Sequence, residues 1–69
     1  MKVEVLWVNM ADADNVLVLD GNVSDDTPFS TIEKHAIDGT PKGFCLSRIN
    51  MPEYSMIYRG KSKIMISNG

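Results

Sequence analysis

Apolar and polar positions follow a period of two over most of this chain, broken once by a stretch with the period of a helix. Val3, Val5 and Trp7 fall on one side of a segment from Val3 to Val8, and Glu4, Leu6 and Val8 fall on the other. Such a short run of β-branched and aromatic residues predicts a strand. Asn9 to Asn15 is polar and Asp-rich, suited to a connection of several residues. Val16 to Leu19 then predicts a second strand, apolar on both sides. Asp20-Gly21-Asn22 reads as a bulge or turn, with Val23 extending the strand beyond it.

Between Ser24 and Gly39 the period changes. Asp26 or Thr27 is placed to cap a helix by accepting from its free first-turn amides, and Pro28 suits the first helical position. The acids gathered here also complement the helix dipole. Phe29, Ile32 and Ala36 form one stripe with Ile37 at its margin, and Phe29 and Ile32 are the expected anchors. Gly39 is expected to end the helix in the left-handed region, and Pro41 prevents its resumption. A helix of about ten residues needs a sheet to pack on.

Alternation then returns. Phe44, Leu46 and Arg48 are expected opposite Cys45, Ser47 and Ile49, and Tyr54, Met56 and Tyr58 opposite Ser55, Ile57 and Arg59. Arg59-Gly60-Lys61-Ser62 predicts a hairpin turn, and Lys63 to Ser67 a last strand with Ile64 and Ile66 on one side. The expected fold is α+β: one short helix on a sheet of four to five strands, in β-β-α-β-β-β order, as one domain over residues 1–69. This order resembles the β-grasp (ubiquitin-like) plan of an N-terminal hairpin, one helix laid across the sheet and further strands. The resemblance lies in topology and implies no functional residues. The chain ends Ile66-Ser67-Asn68-Gly69, without the Gly-Gly tail of ubiquitin-like modifiers, so conjugation is not expected.

Charge changes the picture more than composition does. From Val3 to Glu33 there are seven acids and no base; from Lys34 to Gly69 there are six bases against two acids. The net charge of −2 therefore hides two halves of opposite sign, an asymmetry that orients partners and speeds encounter. Asp12, Asp14, Asp20, Asp25 and Asp26 are the expected partner-binding residues, an acidic loop patch offered to a basic protein surface. The hydrophobic content of 43% is that of a globular chain.

Candidate chemistry is sparse. Cys45 and His35 are the only thiol and imidazole, too few for a metal cluster or an internal disulfide. A nucleophilic Cys–His pair would need hydrogen-bond reach between them. A thiol within Phe44-Cys45-Leu46 is expected to be buried and inert. Asp12-Ala13-Asp14-Asn15 resembles the start of a calcium loop, but Val16, Leu17 and Val23 stand where that loop needs an oxygen ligand, a glycine and a glutamate. No cofactor, metal or catalytic residue is expected. With no signal peptide and no long apolar run, the expected location is the cytoplasm.

Two functions from different classes fit. The first is a non-catalytic protein-binding module, a small regulator or inhibitor such as phages encode, using the acidic loops and an exposed apolar sheet face. The second is a single-stranded nucleic-acid binder, stacking bases on Tyr54 and Tyr58 with Arg48, Arg59, Lys61 and Lys63 on phosphates. Strands apolar on both sides are normally covered on both. One helix covers one side, which leaves a closed barrel, a protein partner or a homodimer to cover the other; the homodimer is the expected outcome.

Overall fold

The computed structural model describes residues 1–68. Its elements are β1 (Lys2–Asn9), β2 (Val16–Asn22), α1 (Phe29–Asp38), β3 (Phe44–Asn50), β4 (Tyr54–Arg59) and β5 (Ser62–Ser67). The strands form a single sheet in the order β2-β1-β3-β4-β5, antiparallel throughout. This is the small α+β fold that the hydrophobic pattern predicts. The likeness to a β-grasp plan extends to the order of elements; in the pairing, β1 lies beside β3 and β5 sits at the far edge. Because β2 and β5 occupy opposite edges, the sheet is open and does not close into a barrel.

One side of the sheet carries the core. Val3, Val5 and Trp7 alternate on β1 as their spacing requires and are all buried. Ile49 on β3 is fully buried across from Val5, and Met51 closes the cluster from the following loop. The helix contributes Ile32 and Ala36, with Phe29 only partly buried and Ile37 exposed. Phe29 is thus a margin residue, and Ala36 shares the anchoring with Ile32.

Both helix ends differ from expectation. Pro28 is the N-cap, in extended conformation, and its carbonyl accepts from Thr31 and Ile32. Neither Asp26 nor Thr27 caps: the Asp26 carboxylate is taken by the Ser24 hydroxyl, and the first turn holds no acid. At the other end Gly39 has φ −88°, not a left-handed value. The chain leaves by a tightened turn, Gly39 N–H to His35 O (2.9 Å) and Thr40 N–H to Ile37 O (3.2 Å). The free Ala36 carbonyl receives the Trp7 indole N–H (3.3 Å) and the Thr40 hydroxyl (3.0 Å), which ties the helix end to β1.

The irregularity of the sheet also lies elsewhere than expected. The β1–β2 ladder runs unbroken from Lys2↔Asn22 to Val8↔Val16, straight through Gly21. A bulge occurs instead on β3, where Leu6 pairs with Arg48 and Trp7 with Leu46, leaving Ser47 as the extra residue. This resets the parity. Phe44, Leu46 and Ile49 share the helix side, while Cys45 and Arg48 face the other way, so the strict alternation expected for this strand does not hold. Gly60 carries a positive φ of 57° at the first position of the two-residue β4–β5 loop, as the hairpin prediction requires.

Candidate protein-binding surface

The ladders place five side chains in one row across the helix-free side: Val18, Leu6, Arg48, Ile57 and Ile64, in strand order. Beside it lie Val16, Val8 and Cys45 on one flank, and Asp20, Glu4, Asn50, Ser55 and Ile66 on the other. No element among the described residues covers this side. Val16, Val18, Ile64 and Ile66 are between 41% and 55% exposed, and Leu6, Val8 and Ile57 are half-buried. The apolar patch therefore spans the width of the sheet.

Arg48 stands in the middle of that patch because of the Ser47 bulge. Its Nε donates to Asn50 Oδ1 (2.6 Å), and Asn50 Nδ2 donates to Glu4 Oε1 (2.9 Å). The guanidinium is half-buried, and among the described residues its terminal nitrogens make no hydrogen bond or ion pair. A planar donor fork fixed at its Nε among apolar neighbours, with its terminal nitrogens unengaged, is ready to receive a carboxylate. At the lower end Asn68 folds over the fully buried Ser55, donating from Nδ2 to Ser55 Oγ (3.0 Å) and to the Met51 carbonyl (2.9 Å).

The tyrosines lie on the opposite, helix side. Tyr54 packs its ring against Phe29 with centroids 6.0 Å apart, and the Tyr58 hydroxyl donates to Glu33 Oε2 (2.6 Å). Lys63 binds the same carboxylate at 3.0 Å. The Glu33 carboxyl is held below its ordinary value by the Tyr58 hydrogen bond first and by Lys63 second. Tyr58 is pushed well above its own, chiefly by burial and then by the Glu33 bond. The residues expected to bind single-stranded nucleic acid are thus divided: both tyrosines lie on the helix side, Lys63 is engaged by Glu33, and Arg48 is on the other side.

The five acids do not form one patch. Asp12 and Asp14 lie in the β1–β2 loop, Asp25 and Asp26 in the β2–α1 loop, and Asp20 on β2 between them. Seven strand residues at ~3.3 Å each put the two loops ~20 Å apart. Asp25 pairs with the Met1 ammonium at 2.8 Å, which lowers its pKa, and the Ser24 hydroxyl does the same for Asp26. Asp12, Asp14 and Asp20 make no ion pair among the described residues. Taken together the acids frame one edge of the sheet. Since β3 to β5 carry Arg48, Arg59, Lys61 and Lys63, the charge asymmetry of the sequence becomes a gradient across the strands.

Cys45 is exposed, contrary to expectation, because β3 turns it to the uncovered side opposite Val8. His35 is on the helix, beyond the other face, so the sheet separates the thiol from the imidazole. Among the described residues no three His, Cys, Asp or Glu side chains form a metal-holding group. No described helix is long and apolar enough to cross a membrane. Arg48 is the functional candidate whose setting alternation misplaces; only the extra residue in the β3 ladder reveals it. No family model, curated protein or solved structure matches this chain.

Proposed function

We propose that this chain is a non-catalytic protein-binding module, a small regulator or inhibitor that meets a larger protein with the helix-free face of its sheet. The observation that carries the reading is the uncovered apolar row with Arg48 at its centre. A contiguous apolar patch of this kind marks an interface, and arginine with apolar neighbours is a common energetic centre of one. The partner that fits is a protein surface with an apolar patch and a carboxylate placed to accept from the guanidinium. The separation of Cys45 from His35 supports a binding role over nucleophilic catalysis. An exposed free thiol suits a reducing compartment such as the cytoplasm.

Cys45 is a built-in reporter for this face. A partner recovered on the native chain is expected to slow alkylation of Cys45, and Ile64→Lys or Arg48→Ala to weaken its binding on the order of tenfold or more. A second copy seated there would instead slow alkylation as the chain's own concentration rises. A bound partner that leaves Cys45 alkylation and both variants unaffected would remove the reading.

A further inference from the structure

Strand β2 presents a second surface, independent of the face. It is an outer strand, every one of its seven residues is exposed, and Val16, Leu17, Val18 and Leu19 make it apolar on both sides. The Val23 N–H donates to the Met1 carbonyl and the Asn9 N–H to the Asn15 carbonyl. Antiparallel ladders alternate, so the odd-numbered residues of β2 bond to β1. Backbone groups of Val16, Val18, Asp20 and Asn22 therefore point outward, where no described strand lies.

Open edges usually carry lysine, proline or a bulge that deters pairing. The β5 edge does, with Lys61 in its turn and Lys63 along it. The β2 edge has none of these: its ladder is regular, and its only charge is Asp20. At one end stand Asp12 and Asp14, unpaired among the described residues; at the other, Asp25 is paired with the Met1 ammonium and Asp26 is held by Ser24, so the free negative charge lies at Asp12, Asp14 and Asp20. This charge pattern repels a second β2 strand and attracts a basic one.

We propose that the β2 edge binds an extended segment of another protein by strand addition, the segment having about four apolar residues flanked by lysine or arginine. Main-chain hydrogen bonds to Val16, Val18, Asp20 and Asn22 hold it, and alternate side chains pack beside Val16/Val18 on one side and Leu17/Leu19 on the other. The unpaired Asp12, Asp14 and Asp20 select the basic flanks and speed the encounter. This goes beyond the face-binding reading and does not depend on it.

The test uses a synthetic peptide of four alternating valines and isoleucines between Lys-Lys pairs, read by anisotropy and by amide exchange on the full chain. Binding is expected to protect the amides of Val16, Val18, Asp20 and Asn22 and to leave those of Leu17, Leu19 and Gly21 unchanged. A peptide with Glu-Glu flanks should bind roughly tenfold or more weakly at low salt, with the difference shrinking as salt rises. Of two peptides N-methylated on alternate amides, one should bind and the other should not. Val18→Pro, which removes an outward donor that β1 does not use, should abolish binding; the N-methylated pair gives the same answer should that variant unfold. Unprotected even-numbered amides, equal binding of the Glu-flanked peptide, or equal binding of both N-methylated peptides would overturn the proposal. Even-numbered protection that appears without peptide as the chain is concentrated would also overturn it, naming a second copy of the chain as the occupant. Cys45 alkylation during the same titrations reads the face separately, so either surface can fail alone.

Discussion

The Tyr58–Glu33 hydrogen bond, at 2.6 Å, joins sheet to helix through one hydroxyl, and its pH dependence follows from the two shifts. Glu33 is depressed from 4.5, so the unfolded chain binds more protons just below that pH, and stability falls as acid is added through the folded value. Tyr58 is raised from 10.0, so above that pH the folded chain holds a proton that the unfolded chain has lost, and stability falls again as pH rises. The contribution is thus fully present between about pH 4.5 and 10. Urea denaturation across pH should show both limbs, and Tyr58→Phe should flatten them while costing about 1–2 kcal/mol in the plateau. A variant with unchanged limbs would show that other groups set the profile. Burial likewise decides between the two helix anchors. Ile32→Ala should cost about 2–4 kcal/mol and Phe29→Ala, at a residue only partly buried, less, a ranking that thermal melts of the pair check directly. The i, i+3 spacing named both residues; it had no means of ranking them, because exposure depends on how far the helix overhangs the sheet.

At the scale of elements, the helix is held at its end by a residue remote in sequence. Trp7 donates to the Ala36 carbonyl and to Thr40 Oγ1 (3.2 Å), so it both fills the core and satisfies the helix terminus. Trp7→Phe keeps most of the ring and loses the donor, and should cost about 1–2 kcal/mol with faster amide exchange at Gly39 and Thr40. Unaltered exchange there would show that the turn stands without the indole. Strand existence was legible throughout, since alternation and the Gly60-Lys61 turn mark β3 to β5 directly. The Ser47 bulge was not legible, because an extra residue inside a strand leaves no local signal: Ser47 and Arg48 read as ordinary alternation until β1 is laid beside them. The helix N-cap is hidden from the sequence for a related reason. Asp26 is a good cap by type, but the Ser24 hydroxyl donates to its carboxylate and Pro28 already supplies the extended residue that begins the helix.

For the whole molecule, the strand order turns a sequence asymmetry into a spatial one. The acidic half forms the β2–β1 flank and the basic half the β3–β5 flank, so a partner approaches a molecule with two unlike sides. Asp12→Lys with Asp14→Lys should slow association with a basic partner at low salt and change its dissociation little, since long-range steering acts on the encounter. Stopped-flow rates at two salt concentrations check this, with the difference shrinking at the higher one. An unchanged rate at low salt would make these residues a solvated loop. The candidate site was half legible: the acids and the two-sided apolar strands are plain in the sequence, whereas their arrangement as a frame around one edge is not.

Local periodicity determined the elements and their order, because the two-residue alternation of a strand and the ~3.6-residue turn of a helix are set by neighbours close in the chain. The charge division was likewise complete in the sequence. Tertiary pairing decided the rest: which sheet side the helix covers, hence that Tyr54 and Tyr58 are packed against it while Arg48 and Cys45 are left facing outward. It also placed β2 at an edge. These outcomes depend on contacts between residues far apart in the chain, and a strand apolar on both sides suits the middle of a sheet as well as its margin, so nothing within Val16–Asn22 announces that it stands outermost.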